Sequence, residues 1–416
     1  MELVKRYNLQ CRNENFCKSI KYTQSKECSS MIDSISQIIQ LANEYQAEYL
    51  TFDDRFNRQS IVKPMNEKDY LSITPINSLI ELTINNRIHE TDYNVLIKLC
   101  PQLVKLEILL YNDNSNTNLV VLSEPVTEHK SLEELVVFIE FEYPGMEHKE
   151  LAQYLNRNHV MKHLTLQIRV TYLDEFVMFP ITNTSLKSLQ SYDIRSDNIE
   201  RNNFKYLQLW TSPSGFNYLN LSYLDSDVNE SIIAYHLSNL THLAYSISYQ
   251  DIGYFCKILD KCKTLEKLDI YGNDIDYTKI LPSLLKSKVI ELSTNVILIK
   301  EILEIQHPTV KTFRFFLSKE SYETELLNNT TIENLNISWV EPNFATNSLF
   351  FKLLKNNSHL KSLKFTFSLN NPEITVVNNF KRNLMKYYQD NKQNPKVIYP
   401  SNLQYGNFDL WSMYPK

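Results

Sequence analysis

The stretch Leu265-Glu-Lys-Leu268-Asp-Ile270-Tyr-Gly-Asn273-Asp-Ile275 has the form L-x-x-L-x-I-x-x-N-x-I, and looser copies of its first six positions recur along most of the chain. The residues that open these copies serve as anchors: Leu79, Leu103, Leu132, Leu186, Phe216, Leu240, Leu265, Val310, Ile332 and Leu360, with weaker ones at Ala47, Met161 and Val289. From Leu79 onward, successive anchors lie 21 to 30 residues apart. A self-similar period of this size constrains the fold strongly. Each unit is one supersecondary element that cannot bury its apolar face alone and has to stack on its like.

Each copy has two parts. The first alternates with period 2, as in Leu268-Asp-Ile270, Leu335-Asn-Ile337 and Leu363-Lys-Phe365, which sends the leucines to one face and the intervening residues to the other. The second has helical spacing, as in Tyr277, Ile280, Leu281, Leu284 and Leu285 after Ile275. A further copy, Phe204-Lys-Tyr-Leu207-Gln-Leu209, falls 12 residues before Phe216. That is too short for a full coil, and it reads as an insertion or an outer strand.

Cys100-Pro-Gln-Leu103-Val-Lys-Leu106-Glu-Ile108 and Cys262-Lys-Thr-Leu265-Glu-Lys-Leu268-Asp-Ile270 resemble the cysteine-containing leucine-rich repeats of F-box substrate receptors. The long helical half of each unit resembles the ribonuclease-inhibitor type. The resemblance is thus to the leucine-rich repeat family, in its intracellular, helix-bearing subgroup, over roughly residues 40–370. It implies an α/β solenoid in which a parallel sheet lines the concave side and helices cover the convex side. The expected organisation is a leader and capping helix over 1–45, about 11–13 coils over 46–370, and a closing helix and tail over 371–416. The family's Asn stands eight residues after the anchor, and from Leu79 onward only Asn273 occupies that place. A continuous Asn ladder is therefore not expected, and the horseshoe should be irregular. No F-box-like run of leucines and prolines precedes the repeats.

Composition removes several function classes. No run of 18 apolar residues exists, so no membrane span is expected. The N-terminal residues lack an uninterrupted apolar core, which argues against a secretory signal. The formal net charge is −5, and lysine and arginine are scattered singly, so nucleic acid is not an expected partner. Cys100, Cys256 and Cys262 fall inside expected coils, while Cys11, Cys17 and Cys28 lack paired zinc spacing. Reduced thiols in a cytoplasmic protein are the reading. The sequons at Asn220 and Asn336 fall in expected strands.

Catalytic signatures are missing too. Five glycines, none close to another, build neither a phosphate loop nor a dinucleotide fingerprint, and there is no G-x-S-x-G or H-E-x-x-H. His159 and His163 are four apart but straddle a helix end and a strand start, and His236 and His242 are likewise split. No enzyme activity, cofactor or metal is expected. Function is placed instead on the residues between the buried leucines: Phe138, His163, Tyr218, Tyr271, Arg314 and Phe316 are the candidate contacts to a protein partner, with Trp210 joining them only if the Phe204 copy is a concave strand. The expected role is a monomeric intracellular scaffold or adaptor. Alternatives are an enzyme regulator of the GTPase-activator or ubiquitin-ligase-receptor kind, and a microbial effector acting inside a host cell.

Overall fold

All thirteen anchors are buried, each at 4% exposure or less. The computed structural model describes residues 9–11, 19–23, 35–53, 74–111, 121–139, 146–167, 170–171, 179–191, 207, 209–221, 235–247, 252–272, 277–294, 299–316, 322–340, 344–367, 379, 382–383, 386, 389–390 and 397–398. Over these residues the protein is α/β, with strands that are almost all parallel and with helices between them. It divides into two compact units, Met1–Leu219 with Asp227–Asn239, and Asn220–Ser226 with Leu240–Lys416.

The first eight-stranded sheet runs β1 (Leu9–Cys11), β2 (Ser19–Thr23), β3 (Tyr49–Asp53), β4 (Glu81–His89), β5 (Lys105–Tyr111), β6 (Glu134–Ile139), β8 (His163–Gln167) and β10 (Ser188–Ser191). Only β1 and β2 pair antiparallel. A separate pair, β7 (Met146–Glu147) and β9 (Val170–Thr171), lies outside it. Its helices are α1 (Ile35–Tyr45), α2 (Glu90–Leu99), α3 (Glu124–Glu128) and α4 (His148–Arg157). The second sheet runs in chain order from β11 (Tyr218–Leu221) through β12 (His242–Ser246), β13 (Lys267–Tyr271), β14 (Glu291–Thr294), β15 (Thr312–Phe316), β16 (Asn334–Val340) and β17 (Ser362–Phe367) to β18 (Val397–Ile398). Between its strands lie α5 (Ile252–Lys261), α6 (Leu281–Lys286), α7 (Ile299–Ile305), α8 (Glu323–Asn328) and α9 (Phe344–Asn356).

The alternation expected from the leucines is realised. In β13, Leu268 and Ile270 are buried while Lys267, Asp269 and Tyr271 are half-buried. Strand entry is equally regular. After eleven of the thirteen anchors, the carbonyl one residue on accepts two N–H groups from the next coil. Val104 O takes Glu133 N at 2.8 Å and Glu134 N at 3.0 Å, and Ile290 O takes Lys311 N at 2.8 Å and Thr312 N at 3.0 Å. The same doubled bond recurs at Glu48, Ile80, Glu133, Lys162, Lys187, Thr241, Glu266, Lys311 and Glu333.

A second recurring bond occupies the place three residues before the anchor. There Cys100, His129, Asn158, Asn183, Cys262, His307, Asn329 and Asn357 are all buried. Asn158 is typical: its Nδ2 donates to Val126 O (3.3 Å) and Thr127 O (3.2 Å), and its Oδ1 accepts from Val160 N (2.9 Å) and Met161 N (2.8 Å). Asn183 bonds to Leu155 O, Asn158 O and Leu186 N, and Asn329 to Leu303 O, Thr331 N and Ile332 N. A neutral imidazole repeats this with one donor and one acceptor. In His129, Nδ1 accepts from Ser131 N and Leu132 N and Nε2 donates to Cys100 O. Cys262 reaches Leu240 O through Sγ at 3.5 Å. In the Phe216 and Val289 coils a serine does the work one residue later, at Ser214 and Ser287. The physical need is common to all. Stacking buries helix-end carbonyls and turn N–H groups between coils, where water cannot reach them. The chain thus carries a mixed Asn, His and Cys ladder before its anchors. The position eight after the anchor does not carry one, and Asn273 lies outside the described residues.

Local departures have clear causes. Opposite β5, β4 shifts register between Ile84 and Arg87, so buried Arg87, not Asn85, faces Leu109. Of the Phe204 copy, Leu207 and Leu209 are described; both are buried and lie outside the strands of the two main sheets, and Trp210 after them forms a parallel bridge to Ile181. Trp210 is a core residue at 2% exposure, with Nε1 donating to Asn183 O at 3.0 Å. Of the expected N-terminal helix, 35–45 is helical and 30–34 lies outside the described residues. Within the expected closing helix, Asn379, Arg382, Asn383, Lys386, Gln389 and Asp390 are described and helical, and all but Asn379 are exposed. From the tail, Val397 and Ile398 pair with Ser362 and Leu363.

His236 sits in this part of the core. Its ring is 5.3 Å from Phe216 and 5.5 Å from Trp210, its Nε2 donates to Leu207 O at 3.0 Å, and Ser214 Oγ lies 2.8 Å from Nδ1. Burial pushes its pKa down to about 4, with the Leu207 bond opposing. The folded pKa is below that of a free histidine, so the stabilisation is complete above about pH 6.5 and is lost as pH falls towards 4. We expect His236→Gln to flatten the fall in stability between pH 6.5 and pH 4, which for the native side chain amounts to roughly 3 kcal/mol. Denaturant midpoints against pH check this, and parallel curves for the two proteins would refute it.

Candidate functional site

In each sheet the helices pack on the face that buries the leucines, and the other face is the one with half-exposed side chains. All six sequence candidates lie on strands of these sheets. In the first unit, Phe138 stands near the end of β6, opposite Leu109 and Gln167, and is half-buried. His163 opens β8 opposite Glu134, with Ser188 Oγ 2.8 Å from its Nδ1. The two are separated along the strands and do not form one cluster. Tyr218 opens β11 and is half-buried.

In the second unit the structure does assemble a cluster. Strands β13 to β16 bring Asp269, Ser293, Arg314 and Asn336 into one row across the sheet, with Tyr271 two residues beyond Asp269 on the same face. Arg314 is exposed, whereas Ser293 is buried at 6%. Phe316 ends β15 opposite Ser338. His242, diagonal to Asp269 on the neighbouring strand, places Nε2 2.7 Å from Asp269 Oδ2. The second oxygen, Oδ1, is buried without a hydrogen-bond partner among the described residues, as is Asn336 Oδ1. Burial pushes the Tyr271 hydroxyl pKa up and the Asp269 charge adds to it, while Arg314 and a hydrogen bond with Ser293 pull it down.

The order of these groups suits recognition better than nucleophilic catalysis. Asp269 lies on the strand between those of His242 and Ser293, so the backbones that carry the imidazole and the hydroxyl run two strands apart, about 10 Å, and no hydrogen bond joins the two among the described residues. A base has to touch its nucleophile. Thiols are held back as well: burial pushes Cys100 up to about 12 and raises Cys256 and Cys262, so these sulfurs stay protonated. Among the described residues no three His, Cys, Asp or Glu side chains converge on a metal position, and no helix is long and apolar enough to cross a membrane.

Sequence reasoning named Tyr271 and Arg314 separately, placed His242, Asp269 and Asn336 on the same open face without choosing them as contacts, and did not name Ser293. The signal was available in the register. Positions two and four after the anchor are diagonal neighbours on adjacent strands, and a His at the first with an Asp at the second can bond across the sheet. Surface ion pairs trace the strand entries too, at Lys162–Glu133 (2.5 Å) and Lys361–Glu333–Lys311 (2.5 and 3.7 Å), and such exposed pairs add little stability. Compared with protein-family models and with curated proteins, the chain matches none of them.

Proposed function

We propose that this chain is a leucine-rich-repeat-type solenoid that acts as a non-catalytic, monomeric scaffold or adaptor inside the cell. It holds a protein partner on the half-exposed sheet faces. The repeating coil chemistry supports the repeat reading. The observation that carries the binding reading is the cluster around Tyr271. An aromatic ring, an exposed arginine and a half-buried carboxylate with one buried, unmatched oxygen stand together on a sheet face that no described helix covers. Aromatic and arginine side chains in such settings dominate interface energetics, and one truncation costs about 2 kcal/mol or more.

Proximity labelling in the native cell tests the proposal, with the wild-type chain beside Tyr271→Ala, Arg314→Ala and Phe138→Ala. A partner enriched by the wild type and depleted about tenfold or more by at least one variant is the expected result. Identical protein sets for all four chains would remove the reading.

A further inference from the structure

The face of the first sheet that no described helix covers carries an apolar shelf edged by carboxylates. Leu109, Val136 and Phe138 are half-buried on this face, whereas Leu106, Ile108, Leu110, Leu135 and Val137 on the opposite face show no exposure at all. Register sets the shelf's edges. Leu109 faces Phe138, and Val136 faces Glu107, while Glu81, Lys105 and Glu134 stand side by side across β4, β5 and β6. On β4 and β5, beside the shelf, both basic side chains of this face are taken up: Arg87, opposite Leu109, is buried, and Lys105 Nζ lies 2.6 Å from Glu134 Oε1. Lys105 is held above its ordinary pKa mainly by that hydrogen bond, with burial opposing and Glu134, Glu107 and Glu81 adding. Glu81 and Glu107 form no ion pair among the described residues, and Glu81 is exposed.

We infer that this face docks a protein segment bearing lysine or arginine side chains, whose aliphatic stems lie on Leu109, Val136 and Phe138 and whose cationic heads meet Glu107 and Glu81. The inference rests on the binding role proposed above and adds the chemistry of the partner. An acidic segment or a nucleic-acid backbone meets uncompensated carboxylates here and is repelled. A divalent cation is a poor match, because the Lys105 ammonium stands between Glu81 and Glu134. Long cationic side chains satisfy both halves of the surface at once, since their stems are apolar and only their tips are charged.

Fluorescence anisotropy with the full chain tests this, using a labelled peptide that alternates arginine with leucine and a second in which glutamate replaces every arginine. The arginine peptide is expected to bind, and more weakly as salt rises. Glu81→Gln with Glu107→Gln should weaken it about tenfold, and Phe138→Ala should weaken it separately. Glu124→Gln with Glu128→Gln on α3 removes the same charge elsewhere and should leave binding unchanged. Equal weakening by both double variants, comparable binding of the glutamate peptide, or no binding of the arginine peptide overturns the inference. Proximity labelling separates its failure from that of the wider proposal. If partners are lost in Tyr271→Ala but kept in the Glu81 and Glu107 variant, the basic-segment inference fails and the binding role stands.

Discussion

Asn158→Leu is expected to cost about 4 kcal/mol of stability, although leucine keeps the number and branching of asparagine's side-chain heavy atoms. The side chain is 2% exposed and engages four backbone groups at once, the carbonyls of Val126 and Thr127 and the N–H groups of Val160 and Met161. Leucine leaves all four unmatched, and the bonds to Val126 O and from Met161 N are buried, where each orphan costs about 1–3 kcal/mol before the coil relaxes. Relaxation recovers part of this, so the estimate lies below the simple sum. Asn158→His, which installs the residue the preceding coil uses at the same place, should retain more than half of the lost stability, because His129 already spans a coil with one acceptor and one donor. Guanidinium unfolding and amide exchange at Met161 measure both. A leucine variant within about 1 kcal/mol of the wild type would show that the ladder is not what locks the coils together.

Gly215→Ala is the second large effect. A Cβ there meets Thr184 O at 2.0 Å, Thr184 C at 2.9 Å and Leu186 O at 3.1 Å, and every one of these is backbone. No rotamer change relieves the overlap. The Phe216 coil must move away from the coil before it, and the shift acts on buried Phe216 and Ser214. A loss of about 3 kcal/mol or more follows, at the upper end for overpacked sites. Gly253 makes the opposite case: it lies in α5 with nothing within 4 Å of its would-be Cβ. Gly253→Ala should therefore stabilise by about 0.5–1 kcal/mol through helix propensity. Thermal melts of the two variants should move in opposite directions, and a Gly215→Ala protein that melts with the wild type would contradict the close approach.

How far the sequence could be read depended on whether a feature was written in one residue type or in several. The anchors and the period-2 strands were legible, because burial of an alternate face demands leucine-like residues at fixed spacing. The register of Lys105, Glu107 and Leu109 against Glu134, Val136 and Phe138 followed from the alignment of anchors alone. The interlocking ladder was not legible. Its members are Asn, His and Cys, which look unrelated as letters and become equivalent only when each is seen to bridge a helix-end carbonyl or a turn N–H. Of the two cysteines that suggested a particular subgroup, Cys262 is a rung of it through its bond to Leu240 O, whereas Cys100 fills the same place by burial alone. In Phe204-Lys-Tyr-Leu207-Gln-Leu209 the leucine spacing recurs with only 12 residues before the next anchor, too few for a full coil, and the described Leu207 and Leu209 are buried outside the two main sheets.

The candidate site divides in the same way. Tyr271 and Arg314 could be assigned to the open face by counting from their anchors. That Arg314 acts on the Tyr271 hydroxyl, that Asp269 bonds His242 with one oxygen and leaves the other unmatched, and that Ser293 is buried beside them could not. The amino-acid sequence by itself determined which residues are inside and which face of each strand is open, because hydrophobic burial depends on local periodicity. Only the tertiary structure decided which polar groups meet. Hydrogen bonds and charge contacts join residues more than 20 positions apart, and such pairings exist only once neighbouring coils are set side by side.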